Sequence, residues 1–245
     1  MIRSWRTERQ MKKLPRTLWL LDFLAVLGLA ADFVLILFFT PVEQSMGAVQ
    51  KVFYFHLAST WTGMLGFLVA ALSSLLFLRT RRSRWDHAAV SGIEIGMVFL
   101  TLGIITGSIW ARPIWNTWWT WDPRLTTTFI MVLIYAAYFI LRSSLNVRSQ
   151  RARISAVYAI TGFISVPLTF LSIRLFRTIH PVLIDASSGT SGMFAMSGRM
   201  VFALLFSLVV FTLFFAALFW HRLNLEGLQE QIEEEEMMDR NEEAE

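Results

Sequence analysis

Met200-Val-Phe-Ala-Leu-Leu-Phe-Ser-Leu-Val-Val-Phe-Thr-Leu-Phe-Phe-Ala-Ala-Leu-Phe-Trp220 contains no charged residue. A helix of that length rises about 30 Å, the thickness of a bilayer's hydrocarbon core. The stretch does not alternate apolar and polar residues with period two, so it does not read as a barrel strand. Five further apolar runs precede it, at roughly 18–40, 52–78, 88–110, 125–141 and 154–174, the quoted one being 199–220. The predicted fold is an all-α integral membrane protein, a six-transmembrane-helix bundle. Composition agrees: hydrophobic residues make up 55% and charged residues 16%, with mean hydropathy +0.53, against about 25% charged in a soluble domain. No solenoid repeat or low-complexity linker interrupts the runs. The reading is one membrane domain at 18–222 between a basic leader at 1–17 and an acidic tail at 223–245. The first run is long enough to span and follows a long basic leader, so it reads as a retained helix rather than a cleaved signal.

The net charge of +4 and pI near 9.8 do not indicate nucleic-acid binding, which needs a basic face on a folded domain. The cations lie between the apolar runs and read as topology signals. Arg3, Arg6, Arg9, Lys12, Lys13 and Arg16 are in the leader. Arg79, Arg81, Arg82 and Arg84 follow the second run, and Arg142, Arg148, Arg151 and Arg153 the fourth. Arg222 and Arg240 follow the sixth. The opposite face holds only Lys51, Arg112, Arg124, Arg174, Arg177 and Arg199. Both termini are therefore expected in the cytoplasm, with 41–51, 111–124 and 175–198 facing outward. The tail carries Glu233 to Glu236 in a row, which reads mainly as a solvated, mobile block and secondarily as a docking segment.

One outward segment stands out: Trp115-Asn-Thr-Trp118-Trp119-Thr-Trp121-Asp122-Pro123-Arg124-Leu125-Thr126. Half of the ten tryptophans lie between Trp110 and Trp121. An interfacial aromatic belt explains the isolated Trp19, Trp85 and Trp220 but needs only one or two rings per helix end. A dense indole surface suits a flat, π-rich ligand. Asp122-Pro123 is also a helix start, Asp as N-cap and Pro at the first helical position. Arg124 has three readings at this stage: a partner for Asp122, a lipid-phosphate contact, or a ligand-carboxylate contact.

Of four histidines, His87 and His221 fall at cytoplasmic helix ends. His56, in Phe53-Tyr-Phe-His56, and His180, in Arg177-Thr-Ile-His180-Pro181, fall on the same outward side as the tryptophans. Two neutral imidazoles can fill both axial positions of a haem iron. The residues alone support a flat-ligand site with metal ligation as an option. There is no cysteine, hence no thioether attachment and no disulfide. Asp22, Asp32 and Glu94 interrupt apolar runs, where acids are costly. Asp22 and Glu94 lie near the cytoplasmic edge and suit structural contacts, and Asp32 suits a hydrogen bond to another helix. Pro167 should kink the fifth helix or free a carbonyl. Arg174 and Arg177 read as snorkelling side chains or as partners for a ligand carboxylate.

These residues resemble the tryptophan-rich WWD motif of haem-handling proteins in cytochrome c maturation, and within that group the CcmC family of the system I pathway. The resemblance covers about 50–200. It rests on Phe53 to His56, on Thr106-Gly-Ser-Ile-Trp110 running on to Thr126 (the WWD loop, 110–126), and on Val166-Pro167 to His180-Pro181. Leu57-Ala58 stands where the family usually has Val-Pro, and Leu175-Phe176 replaces its aromatic pair. The resemblance implies His56 and His180 as axial ligands of a non-covalent haem b. It implies Trp115, Trp118, Trp119, Trp121 and Asp122 as the platform, with Arg124 beside it. It implies a non-enzymatic haem-binding protein of the plasma (inner) membrane that delivers haem at the outer face. The implied partners are the haem chaperone CcmE, the ABC-type subunits CcmA and CcmB, and the small protein CcmD. Two other classes fit the pattern less well. A b-type cytochrome subunit would need a second, inner haem on His87 and His221. A haem-free permease would need polar, interrupted helices at the midplane, and only Asp32 points that way.

Overall fold

The computed structural model describes residues 15–43, 46–180 and 196–242. The first fourteen residues of the basic leader, positions 44 and 45 of the first outward loop, positions 181–195 of the third and the last three of the tail lie outside them. Seven helices are described: α1 (Arg16–Val34, prolonged by a π-helical turn, Leu35–Phe39), α2 (Gln50–Thr80), α3 (Ser83–Trp115), α4 (Pro123–Ser143), α5 (Arg148–Gly162), α6 (Ser165–Leu175) and α7 (Gly198–Glu242). Six stretches are long and apolar enough to cross a membrane, α5 and α6 together making the fifth.

The pair α2–α3 forms the centre, with the most extensive contact between any two elements. Small residues allow it: a Cβ on Gly66 would lie 2.6 Å from the Gly92 carbonyl oxygen, and one on Gly92 2.7 Å from that of Gly66. Lipid tails are as apolar as leucine, so helix association in a bilayer depends on such close backbone packing. On one flank α7 packs on α2 and α3 with α1 outside it, around Phe99, Val210, Phe211 and Phe215. On the other flank lie α4, α5 and α6, where Phe67 and Tyr135 stack at 3.7 Å between centroids.

The acids within the spans find partners. Ser207 donates to Asp32 at 2.7 Å, joining α7 to α1 as expected. Asp22 accepts from His221 at 2.9 Å, and Glu94 from Arg222 at 2.5 and 2.9 Å. Arg142 holds Asp86 through two parallel bonds of 2.9 and 2.7 Å. These last three contacts tie the helices at the end of the bundle opposite His56.

The break expected at Pro167 is present and two helices run past their sequence-read ends, each for a local reason. The fifth span breaks at Phe163–Ile164 because Pro167 has no N–H for the Phe163 carbonyl, which takes the Val166 N–H instead at 3.0 Å. α3 runs on past Trp110 to Trp115. Pro113 falls in its last turn, where only one bond is lost, and Asn116 stops the helix in the left-handed region at φ 55°. The acidic tail continues α7 as one helix to Glu242 instead of leaving it. Glutamate has high helix propensity, and Arg222 also pairs with Glu226 one turn on, at 2.6 Å.

Candidate functional site

His56 lies two turns into α2 and faces α3, where a notch receives its ring. A Cβ on Gly107 would sit 2.8 Å from His56 Cε1, and a Cβ on Gly103 would sit 2.6 Å from Thr60 Oγ1. The ring comes close enough for Nδ1 to meet the Gly103 carbonyl at 2.8 Å. A carbonyl only accepts, so the proton is on Nδ1 and Nε2 keeps its lone pair. The other face of the ring lies nearly parallel to buried Trp110, at 6.3 Å and 17°.

His180 is fixed by the same logic through Asp122. Asp122 Oδ1 meets His180 Nδ1 at 3.2 Å and accepts the Arg124 N–H at 2.9 Å, while Oδ2 accepts the Ile179 N–H at 2.9 Å. Burial opposes the charge on Asp122. Hydrogen bonds from Thr178 and from the Ile179 and Arg124 amides, with the adjacent imidazole, outweigh it and hold the carboxyl below its ordinary range. An ionised carboxylate only accepts, so here too the proton sits on Nδ1 and Nε2 is left bare. Burial and the Arg124 guanidinium push the His180 imidazole below its ordinary pKa against the pull of Asp122. A neutral imidazole is the form that binds a metal.

Both histidines line one cavity, together with Trp110, Trp115, Trp118, Trp119 and Arg124. Its walls and mouth bound about 680 Å³, of which about 70 Å³ admits the centre of a water-sized sphere, so the space is narrow. The rings make a continuous wall: Trp110 meets Trp115 edge-on at 5.3 Å, and Trp115 lies 5.5 Å from His180. Arg124 brings the cation, with its guanidinium 6.0 Å from the centre of the Phe170 ring.

The structure thus brings together His56, His180, Trp115, Trp118, Trp119 and Arg124. It sets Trp121 and Asp122 behind the cavity. Trp121 is 69% exposed, packs on Trp119 and Phe129 at 5.8 Å, and lines a separate shallow pocket with Asp122, Pro123 and Arg177. Asp122 caps α4, as its sequence suggests, and also holds His180. Neither Arg174 nor Arg177 lines the cavity. Trp110, Gly103 and Gly107 were missed as site residues. The one-turn spacing of the two glycines ahead of a tryptophan is the signal that could have found them.

Among the described residues no group of three or more His, Cys, Asp or Glu side chains could hold a metal ion. Two imidazoles with bare Nε2 atoms on one cavity are nitrogen donors of the kind that bind a metal. At the other end of the bundle His221 Nε2 is taken up by Asp22. Gly107→Ala tests the notch. The methyl group would displace the His56 ring from Gly103, and metalloporphyrin affinity measured by optical titration is expected to fall about tenfold or more.

Fold and site together define a six-span membrane protein with an aromatic, two-imidazole ligand cavity at one end of the bundle. The family described as "Heme exporter protein C" (CcmC) matches residues 2–238, and the chain belongs to that family. It is 31% identical over 199 residues to the heme exporter protein C of Bradyrhizobium diazoefficiens, covering 81% of this chain and 74% of the relative. It is 34% identical to that of Rhodobacter capsulatus over 54% of each chain. To that of Escherichia coli K12 it is 25% identical over 72% of this chain and 75% of the relative.

Proposed function

We propose that the cavity binds haem b non-covalently for cytochrome c maturation, with Nε2 of His56 and of His180 as axial ligands. The observation that carries this reading is the matched pair of imidazoles, each with Nδ1 committed to an acceptor, on one indole-walled cavity. Trp110, Trp115, Trp118 and Trp119 supply stacking surface, and Arg124 is the cation placed to meet a propionate. The charge bias of the loops supports an outer-face position in a bacterial plasma membrane, with both termini inside. The chain holds and presents its cargo without catalysing a reaction. The haem chaperone CcmE takes the haem, and CcmA, CcmB and CcmD complete the assembly. Absence of cysteine supports reversible holding, since no thioether can form. In Trp118, 58% exposed, the cavity has an edge that a soluble partner can reach.

Purified full-length protein is expected to carry a single haem b by pyridine haemochrome assay and to pass it to apo-CcmE. A haem-free preparation, or haem retained against apo-CcmE, would contradict the proposal. Asp122 is the positioning residue for His180. Asparagine caps a helix as well as aspartate, so Asp122→Asn should leave the fold intact. Haem affinity is expected to fall about 10–100-fold and the reduction potential to rise, as a less basic imidazole favours ferrous iron. The pH dependence follows from the same pair. Both groups have folded pKa values below their unfolded ones. Their contribution to stability is present above the unfolded values, about 6.5 for His180 and 3.9 for Asp122. It is lost as pH falls through the folded values. Thermal unfolding between neutral pH and pH near 4 should show a loss that His180→Gln reduces.

A further inference from the structure

We propose that a groove at the end of the bundle opposite His56 and His180 is a binding site for one anionic phospholipid. It opens between the adjoining ends of α2 and α3 and the face of α7, and admits a water-sized sphere over about 760 Å³. That falls within the range of small-molecule pockets. Its chemistry changes along its length. Val69, Phe219 and Leu223 give apolar walls on membrane-spanning stretches, while Ser83, Arg84 and Gln231 stand at the rim. Apolar depth beneath a polar rim is the match for an acyl chain below and a headgroup above.

Two observations favour a lipid with a negative headgroup. The rim belongs to the Arg79–Arg84 segment, which holds four arginines and no acid, and basic pockets between membrane helices take anionic headgroups. Arg84 is held there by stacking over the Trp85 ring, at 4.8 Å to its centre, and Trp85 itself lines the groove. On α7, Glu226 and Glu233 line a different pocket, beside Arg142, Arg148 and Arg151.

Gly227 provides a clean test. It lines the groove, and a Cβ there would meet nothing within 4 Å. Leucine fills the space and improves helix propensity by about 1 kcal/mol, so Gly227→Leu should fold at least as well as wild type. Arg84→Glu tests the headgroup end independently. Full-length protein in detergent, offered phosphatidylglycerol or phosphatidylcholine, is followed by native mass spectrometry. Wild type is expected to retain one phosphatidylglycerol and not phosphatidylcholine, with retention falling about tenfold in either variant. In vesicles, phosphatidylglycerol with brominated chains should quench the fluorescence that Trp85→Phe removes, and Gly227→Leu should abolish that quenching. Equal retention in wild type and both variants, or equal quenching by brominated phosphatidylcholine, would overturn the proposal. So would a second haem per chain that Gly227→Leu removes. The haem spectrum at the histidine cavity is independent of all these outcomes.

Discussion

Protein carrying both His56→Ala and His180→Ala is expected to lose essentially all haem on purification, while its six-helix fold persists. The two rings make one cross-segment hydrogen bond each, to Gly103 and to Asp122, a small share of the contacts that hold the bundle. Each occupies one side chain's space at a cavity wall, and Gly107 and Trp110 keep the shape of the notch around His56. Their chemical contribution is much larger. Loss of a group that only orients a ligating histidine costs about 10–100-fold in metal affinity, so loss of both ligands should exceed that range. Each single variant is expected to keep weaker, five-coordinate haem, because the opposite imidazole and the indole wall remain. Haem content by pyridine haemochrome, with circular dichroism as a fold control, reads this directly. Full retention in the double variant would remove the ligand assignment.

Gly66→Leu is expected to have the largest effect on the fold. Its Cβ would stand 2.6 Å from the Gly92 carbonyl oxygen and 2.8 Å from the Gly96 Cα. These are backbone atoms, which cannot step aside as a side-chain end can. Overpacking a core costs about 1–3 kcal/mol where side chains can adjust, and this site should exceed that. Forcing α2 and α3 apart also moves His56 on one helix away from Gly103 on the other. The expected result is a much smaller folded fraction in fluorescence-detected size exclusion, and haem loss in what remains folded. Gly227→Leu, the same substitution where a Cβ meets nothing, is the matched control. Similar yields for the two would contradict the central role given to the α2–α3 contact.

Much of this architecture is legible in the sequence because a bilayer imposes a strong rule: apolar length. The six runs emerge from it, and the side of each loop follows from where the arginines fall. The same charge pattern separates His56 and His180 from His87 and His221. What stays hidden depends on contacts between segments distant in sequence. Trp115 belongs to α3 although Pro113 gives up its bond to the Ile109 carbonyl there, which a local reading of proline does not reveal. The seat of His56 depends on the Gly103 carbonyl and on the room left by Gly107, 47 or more residues away, and shows only once α2 lies on α3. Asp122 reads as a helix cap, and so it is. Its second bond, to a histidine 58 positions on, cannot be seen from spacing. The tail reads as a solvated acidic block; its described side chains at 231–240 are exposed, and glutamates continue α7 there as a helix.

Ligation of one iron by two histidine nitrogens of this chain is tested most directly by electron-nuclear hyperfine spectroscopy of ferric haem in protein whose histidines alone carry nitrogen-15. Low-spin haem coupled to two axial nitrogen-15 nuclei is expected in wild type, and coupling to a single such nucleus in each of His56→Ala and His180→Ala. Coupling to two such nuclei that persists in either variant, or high-spin haem with none in wild type, would contradict it.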